Sequence, residues 1–135
     1  STSRRQRQMC IRDSKDKFQQ VMTNLIENAA KYGDENSTIT IKTNHCGEYV
    51  SIKVINNGIE IKECDYDKIF TKFSRIDNPL TRKVQGSGLG LYITKNLVEK
   101  MGGKIFVVSK ECENCFEVLM PASNIERQAR EKCSQ

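Results

Sequence analysis

Apolar residues recur with helical spacing in two segments of the chain. Over residues 16–32 they fall three or four positions apart, which places them on one face of an amphipathic helix. The spacing returns over residues 89–101, where Gly102 and Gly103 are expected to stop the helix. The pattern therefore predicts two helices, each with one buried face. The apolar positions of the first are Phe18, Val21, Met22, Leu25, Ile26, Ala29 and Ala30.

Four shorter segments alternate apolar and polar residues, which is typical of half-buried strands. They pair as two antiparallel hairpins, with turns at residues 44–48 and 110–114. A right-handed crossover through the second helix makes the third strand run parallel to the second and puts the two turns at opposite ends of the sheet. This order of elements predicts an α/β (α+β) sandwich of two layers. The predicted strands cover residues 37–43, 49–55, 104–109 and 115–120.

Three segments show neither periodicity. Residues 1–14 are predicted to form a disordered tail. This segment is either a native terminus or a translated sequencing adapter. Residues 56–88 contain Pro79 and three glycines, and a segment this long is usually a functional loop or lid. Residues 122–135 are expected to form a polar C-terminal tail. The folded domain is therefore predicted over residues 15–121.

Charge and cysteine content narrow the class of protein. Residues 1–14 supply +3 of the formal net charge of +5, so the folded body has no concentrated basic surface of the kind that binds nucleic acid. No run approaches eighteen apolar residues, so this segment is not expected to contact a membrane, and its six cysteines are expected as free cytoplasmic thiols. A zinc site would combine Cys112 and Cys115 with His45 and Cys46, but the predicted turns hold these pairs apart.

Two polar patterns carry candidate chemistry. Asn24, Asn28 and Lys31 form a stripe along the first helix, which suits a metal-bound triphosphate because amide oxygens ligate cations and lysine meets phosphate. A solvated helix edge is the alternative. Glycines in QGSGLGLYITKNL, at positions 86, 88 and 90, precede the second helix and could cradle an anion with free backbone amides. Flexible capping is the alternative, and neither a Walker loop nor a dinucleotide fingerprint fits.

Two further motifs lie in the long loop. INNGIEI ends the second strand with a sharp turn at Asn57 and Gly58. KIFTKFSRID places Phe70 and Phe73 at helical spacing, where a small satellite core is the alternative to a binding role.

In this order the motifs resemble the nucleotide-binding boxes of the sensor histidine kinase catalytic domain. DKFQQVMTNLIENAAKY is similar to the N box, VINNGIEI to the G1 box, KIFTKFSRID to the F box and GSGLGLYITKNLVEKMGGKI to the G2 box. The resemblance covers residues 16–121. It implies the Bergerat ATP-binding fold of the GHKL superfamily, in which helices cover one face of a mixed sheet and a mobile lid closes over ATP.

The resemblance also implies residue roles. Asn24, Asn28 and Lys31 are the expected catalytic residues, with Asn28 the Mg²⁺ ligand. Related ATPases carry a glutamate in place of Asn24, and an amide cannot act as a general base, which favours phosphoryl transfer over hydrolysis. Arg75, Arg82 and Lys83 are the lid cations available to the γ-phosphate. The implied ATP-contacting set is Asn28, Lys31, Tyr32, Asn56, Gly58, Ile61, Phe70, Phe73, Arg75, Arg82, Gly86, Ser87, Gly88, Leu89, Gly90 and Leu91.

Two residues depart from the G1 box of this family, which is usually D-N-G-x-G-I. Asn56 replaces the aspartate that accepts a hydrogen bond from adenine, so the contact loses charge assistance. Glu60 replaces a glycine and adds bulk and charge. His45, the only histidine, has no helical setting like that of a phosphoacceptor.

The expected function is therefore transfer of the γ-phosphoryl group of Mg-ATP to a histidine in a separate dimerisation domain. A response regulator receiver domain is the expected downstream partner. The parent protein is expected to be anchored in the cell membrane, with this domain in the cytoplasm. A degenerate nucleotide-binding or docking module, and an anti-sigma serine kinase of the same superfamily, are the alternatives.

Overall fold

The computed structural model describes residues 2–72 and 90–123, with side chains from Lys15 onward. Two helices, two single-turn 3₁₀ helices and four strands make up this part of the chain. No helix within it is both long enough and apolar enough to cross a bilayer. The elements are α1 (Thr2–Tyr32), β1 (Thr40–Cys46), β2 (Tyr49–Asn57), the 3₁₀ helices Glu63–Asp65 and Lys68–Phe70, α2 (Gly90–Lys100), β3 (Lys104–Lys110) and β4 (Glu113–Pro121).

The four strands form one sheet in the order β1-β2-β4-β3, and each neighbouring pair is antiparallel. β2 and β3 run in the same direction, as the crossover predicts, but β4 lies between them and pairs with both. The two hairpin turns lie at opposite ends of the sheet, as predicted. The two-layer α+β fold is thus confirmed. The implication of a mixed sheet is wrong for the described strands, because the last strand fills the space between the two parallel ones.

The hydrophobic core lies between the two helices and one face of the sheet. Val21, Leu25 and Ala29 of α1 are buried there, whereas the predicted core residue Ile26 is partly exposed. Alternate residues of β2, β3 and β4 complete this face, since side chains of a strand point to opposite sides. They are Ile52 and Val54 of β2, Ile105 and Val107 of β3, and Phe116, Val118 and Met120 of β4.

Element boundaries differ most from the predicted ones at α1 and β1. α1 begins at Thr2, so residues 2–14, predicted as a tail, belong to this helix in the structure. No glycine or proline interrupts residues 2–32, and a helix can continue on intrinsic propensity without an apolar stripe. β1 continues to Cys46 because the hairpin closes over two residues, the first of which is Gly47 at φ +60°. His45 therefore lies in a strand and not in the turn.

Candidate nucleotide site

The end of α1 packs directly against the end of β2. Gly33 and Gly58 form an isolated antiparallel bridge, and the Asp34 N–H donates to the carbonyl oxygen of Asn57 at 2.7 Å. A Cβ on Gly58 would lie 2.3 Å from the carbonyl oxygen of Tyr32, which is far inside van der Waals contact. The G1-box glycine is thus required for this close backbone approach. The junction brings the N-box end of α1 to the G1 box.

Asn56 lies beneath this junction. Its residue is only 2% exposed, and its side chain points to the helix-covered face of the sheet with Ile52 and Val54. Its amide nitrogen is 3.3 Å from the Cβ position of Gly58. A neutral amide is buried here at lower cost than a carboxylate, because an ionised group must leave more hydration behind. The departure from aspartate is compatible with the packing of the site.

The polar stripe of α1 faces the beginning of α2. The Asn24 side-chain Nδ2 donates to the Thr94 hydroxyl at 3.2 Å, and that hydroxyl donates to the carbonyl oxygen of Gly90 at 2.8 Å. Asn28 is half-buried one turn further along α1, and Lys31 is exposed beyond it. The structure therefore brings the N-box stripe and the first turn of the G2-box helix together.

A buried polar network holds the chain that follows the G1 box. Asn114 Nδ2 donates to the carbonyl oxygen of Ile59 at 2.9 Å, and its Oδ1 accepts a hydrogen bond from the Ser109 hydroxyl. The Ile61 N–H donates to the same hydroxyl at 2.8 Å. The Tyr66 hydroxyl binds the backbone of Ser109, donating to its carbonyl and accepting from its N–H. Both peptide groups that flank Glu60 are thus fixed, and the Glu60 side chain is exposed.

The β3–β4 turn also contacts the G1 box. Glu111 and Cys112 form this two-residue turn with φ of 52° and 62°, a left-handed conformation that non-glycine residues seldom adopt. The Gly58 N–H donates to the Cys112 carbonyl at 2.8 Å. A strained turn at one end of the sheet therefore supports the glycine on which the junction depends.

Sequence reasoning missed three of these residues. Thr94, Ser109 and Asn114 are buried polar residues at positions where the strand or helix period calls for an apolar one. Asn114 is in phase with Phe116 and Val118 along β4, and Thr94 precedes Val98 by one helical turn. A polar residue at an otherwise apolar position of the period is the sequence signal by which these three residues could have been predicted.

Phe70 of the F box lies in the core. It is 7% exposed and packs edge-to-face on Phe116, with ring centroids 6.4 Å apart. Lys95 Nζ lies 5.8 Å from the Phe70 ring centroid. This is the packing role given above as the alternative, and direct ATP contact by Phe70 stays a prediction. The nearby Ile61 is also buried, and Leu91 packs against the core.

The lid assignments lie outside the described residues. Gly90, the first residue of α2, is exposed, and a Cβ built there would meet nothing within 4 Å. The predicted site residues without a described position are Phe73, Arg75, Arg82, Lys83, Gly86, Ser87, Gly88 and Leu89.

The free thiols among the described side chains are those of Cys46, Cys64, Cys112 and Cys115. No group of three or more His, Cys, Asp or Glu residues in residues 15–72 and 90–123 could hold a metal ion. The two halves of the candidate zinc set lie at opposite ends of the sheet. Burial raises the pKa of the Cys115 thiol, and the charge of Lys53 partly opposes this shift.

Comparison with known proteins identifies the family. Residues 13–124 match the model of the histidine kinase-, DNA gyrase B- and HSP90-like ATPases. The chain is 40% identical over 107 residues to the sensor histidine kinase WalK of Bacillus subtilis, with 78% of this chain and 18% of WalK aligned. It is 38% identical to the sensor protein VanS of Enterococcus faecium, with 79% of this chain and 28% of VanS aligned.

The fold matches solved structures of the same kind. The catalytic domain of histidine kinase ThkA superposes with a TM-score of 0.67 at 31% identity, covering 78% of this chain and 67% of that one. The chain spans under a third of the length of either curated relative. It belongs to the histidine kinase-, DNA gyrase B- and HSP90-like ATPase family, in which it corresponds to the ATP-binding catalytic domain of sensor histidine kinases.

Proposed function

We propose that this domain binds ATP together with Mg²⁺ and transfers the γ-phosphoryl group to a histidine on the dimerisation domain of its parent protein. The observation that carries the proposal is the backbone junction between α1 and β2. It brings the end of the helix that carries Asn28, Lys31 and Tyr32 to the end of the strand that carries Asn56 and Gly58.

The donor set fits magnesium. Mg²⁺ takes oxygen ligands and usually keeps waters and phosphate oxygens in its shell, so one protein ligand is enough. The Asn28 amide oxygen would be that ligand, and Lys31 would contact the phosphates from the next turn. When bound, Mg²⁺ neutralises charge on the transferring phosphoryl group.

Asn24 supports transfer over hydrolysis. Its side chain is an amide, which cannot take a proton from water at neutral pH, and it is engaged with Thr94. Lid residues 73–89, with Arg75, Arg82 and the glycines, are proposed to complete the phosphate contacts.

The phosphoacceptor is proposed to lie outside this domain. His45 is the only histidine of the chain, and it lies exposed near the end of an edge strand. The acceptor is instead placed on the dimerisation domain, from which a response regulator receiver domain takes the phosphoryl group. The parent protein is proposed to be membrane-anchored, with this domain in the cytoplasm and without contact to nucleic acid.

A docking module without kinase activity is less well supported. That alternative requires the G1-box changes to block adenine, yet the Glu60 side chain is exposed and Asn56 fits its buried position. The anti-sigma serine kinase alternative has no structural feature in its favour within residues 15–72 and 90–123.

Nucleotide titration tests the proposal. Asn28→Ala should reduce the Mg²⁺-dependent part of ATP affinity by about tenfold or more, since a metal ligand is removed. Asn44→Ala, at an exposed position of β1, is the matched control and should bind as the unsubstituted chain does. Equal curves for Asn28→Ala and the control would contradict the assignment.

Labelled ATP tests the reaction type. Phosphate from γ-labelled ATP should appear on a supplied histidine-containing acceptor domain and not on this chain. Rapid release of inorganic phosphate by the isolated chain would instead indicate an ATPase.

A further inference from the structure

Thr94 connects the two nucleotide-binding boxes through a directed pair of hydrogen bonds. It is 0% exposed, on the side of α2 that faces α1. Its hydroxyl accepts from Asn24 Nδ2 at 3.2 Å, across 70 positions of sequence, and contacts the Gly90 carbonyl oxygen at 2.8 Å.

The chemistry of the three groups fixes which atom donates. The Gly90 carbonyl can only accept, so the single hydroxyl proton of Thr94 is used there. The remaining lone pairs of the hydroxyl can then only accept, and the amide group that meets them must be the Nδ2 of Asn24. The carbonyl oxygen of Asn24 therefore points away from Thr94.

We propose that Thr94 is a positioning residue for phosphoryl transfer, which holds the Asn24 amide with its oxygen toward the nucleotide. This inference rests on the proposed function. With Nδ2 engaged by Thr94, the Asn24 oxygen remains available to accept from a hydrogen-bond donor beside the phosphates. Because Gly90 is the third glycine of the G2 box, the same hydroxyl sets the first turn of α2 relative to this amide.

Packing alone does not account for the residue. A buried threonine in a helix commonly bonds the carbonyl four residues back, and that bond alone would satisfy its hydroxyl. Valine has nearly the same shape and would fill the position without any polar group. What valine cannot do is accept a hydrogen bond from Asn24, so the amide would be free to rotate.

Thr94→Val and Thr94→Ser separate positioning from packing. At saturating Mg-ATP, we expect Thr94→Val to lower the rate of phosphoryl transfer to a supplied acceptor domain by about tenfold. The reason is that a catalytic group is effective only when it is held in the correct orientation. The nucleotide Kd and the melting temperature should stay close to those of the unsubstituted chain. Thr94→Ser keeps the hydroxyl and should restore the rate. An unchanged rate in Thr94→Val, or a Thr94→Ser variant as slow as Thr94→Val, would overturn the proposal.

A double-mutant cycle with Asn24 tests the route of the effect. If Thr94 acts through Asn24, Thr94→Val should cause no further loss of rate in the Asn24→Ala background. Independent, additive losses would show that Thr94 acts by another path and would overturn the proposal.

A second readout does not depend on activity. The side-chain amide signals of Asn24 in a nitrogen–proton NMR spectrum should shift and exchange faster in Thr94→Val. If the unsubstituted chain transfers no phosphate to any acceptor, the proposed function fails. Unshifted Asn24 signals in Thr94→Val would refute only the inference that Thr94 positions Asn24.

Discussion

Replacement of Asn114 by alanine should destabilise the domain far more than replacement of an exposed polar residue. The residue is 3% exposed and makes two hydrogen bonds, one to the carbonyl oxygen of Ile59 and one from the Ser109 hydroxyl. Asn114→Ala removes both and leaves two buried polar groups without their partner. Each such group costs about 1–3 kcal/mol, so the expected loss in the free energy of unfolding is about 2–6 kcal/mol.

Urea unfolding measures this loss. Asn44→Ala is the matched control, because Asn44 lies exposed on β1 and its truncation should stay within about 0.5 kcal/mol of the unsubstituted chain. Nucleotide affinity should fall in Asn114→Ala as well, since Ile59 and Ile61 follow directly on the G1-box glycine. A loss no larger than that of the control would refute the reasoning that this network is sealed from water.

Three further outcomes are expected. Gly58→Ala should unfold at markedly lower urea concentration, because its Cβ would lie 2.3 Å from the carbonyl oxygen at the end of α1; Gly90→Ala, which meets nothing, serves as the control, and equal midpoints would contradict the close approach. Asn56→Asp should tighten ATP binding by about five- to tenfold in a titration, and Glu60→Gly should add to it, whereas weaker binding by Asn56→Asp would show that the amide itself recognises adenine. Iodoacetamide should alkylate exposed Cys112 before Cys115, because burial raises the Cys115 pKa and lowers its thiolate fraction; the difference should narrow as pH rises, and equal rates at pH 8 would count against this.

The fold was predictable where the apolar period was regular. The helix face of Val21 and Leu25 and the alternation in β4 both follow from burial on one side. The start of α1 was not predictable in this way, because a helix can continue on intrinsic propensity where the sequence has no apolar stripe. The insertion of β4 between β2 and β3 was missed, since periodicity gives the faces of a strand and not its neighbours.

The site was predictable only in part for a similar reason. Motif spacing predicts roles for Asn28 and Gly58, which lie in continuous segments that meet at the α1–β2 junction. Thr94 and Asn114 act across 70 and 55 positions of sequence, and such contacts depend on helix packing and strand register. A polar residue that interrupts an apolar period indicates a buried hydrogen bond, but the sequence does not show which residue is its partner.

The central position of β4 has a consequence for how the chain reaches its native state. β2 pairs along its whole length with β4, from Tyr49 opposite Pro121 to Asn57 opposite Glu113, so these contacts join residues far apart in sequence. Closing such long loops slows folding, because chain entropy is lost before the contacts form. During synthesis, β2 and β3 must wait with open edges until residues 113–121 leave the ribosome, and in that interval they are available for pairing with other chains. Truncation before Glu113 should therefore yield an aggregating fragment and not a smaller stable domain.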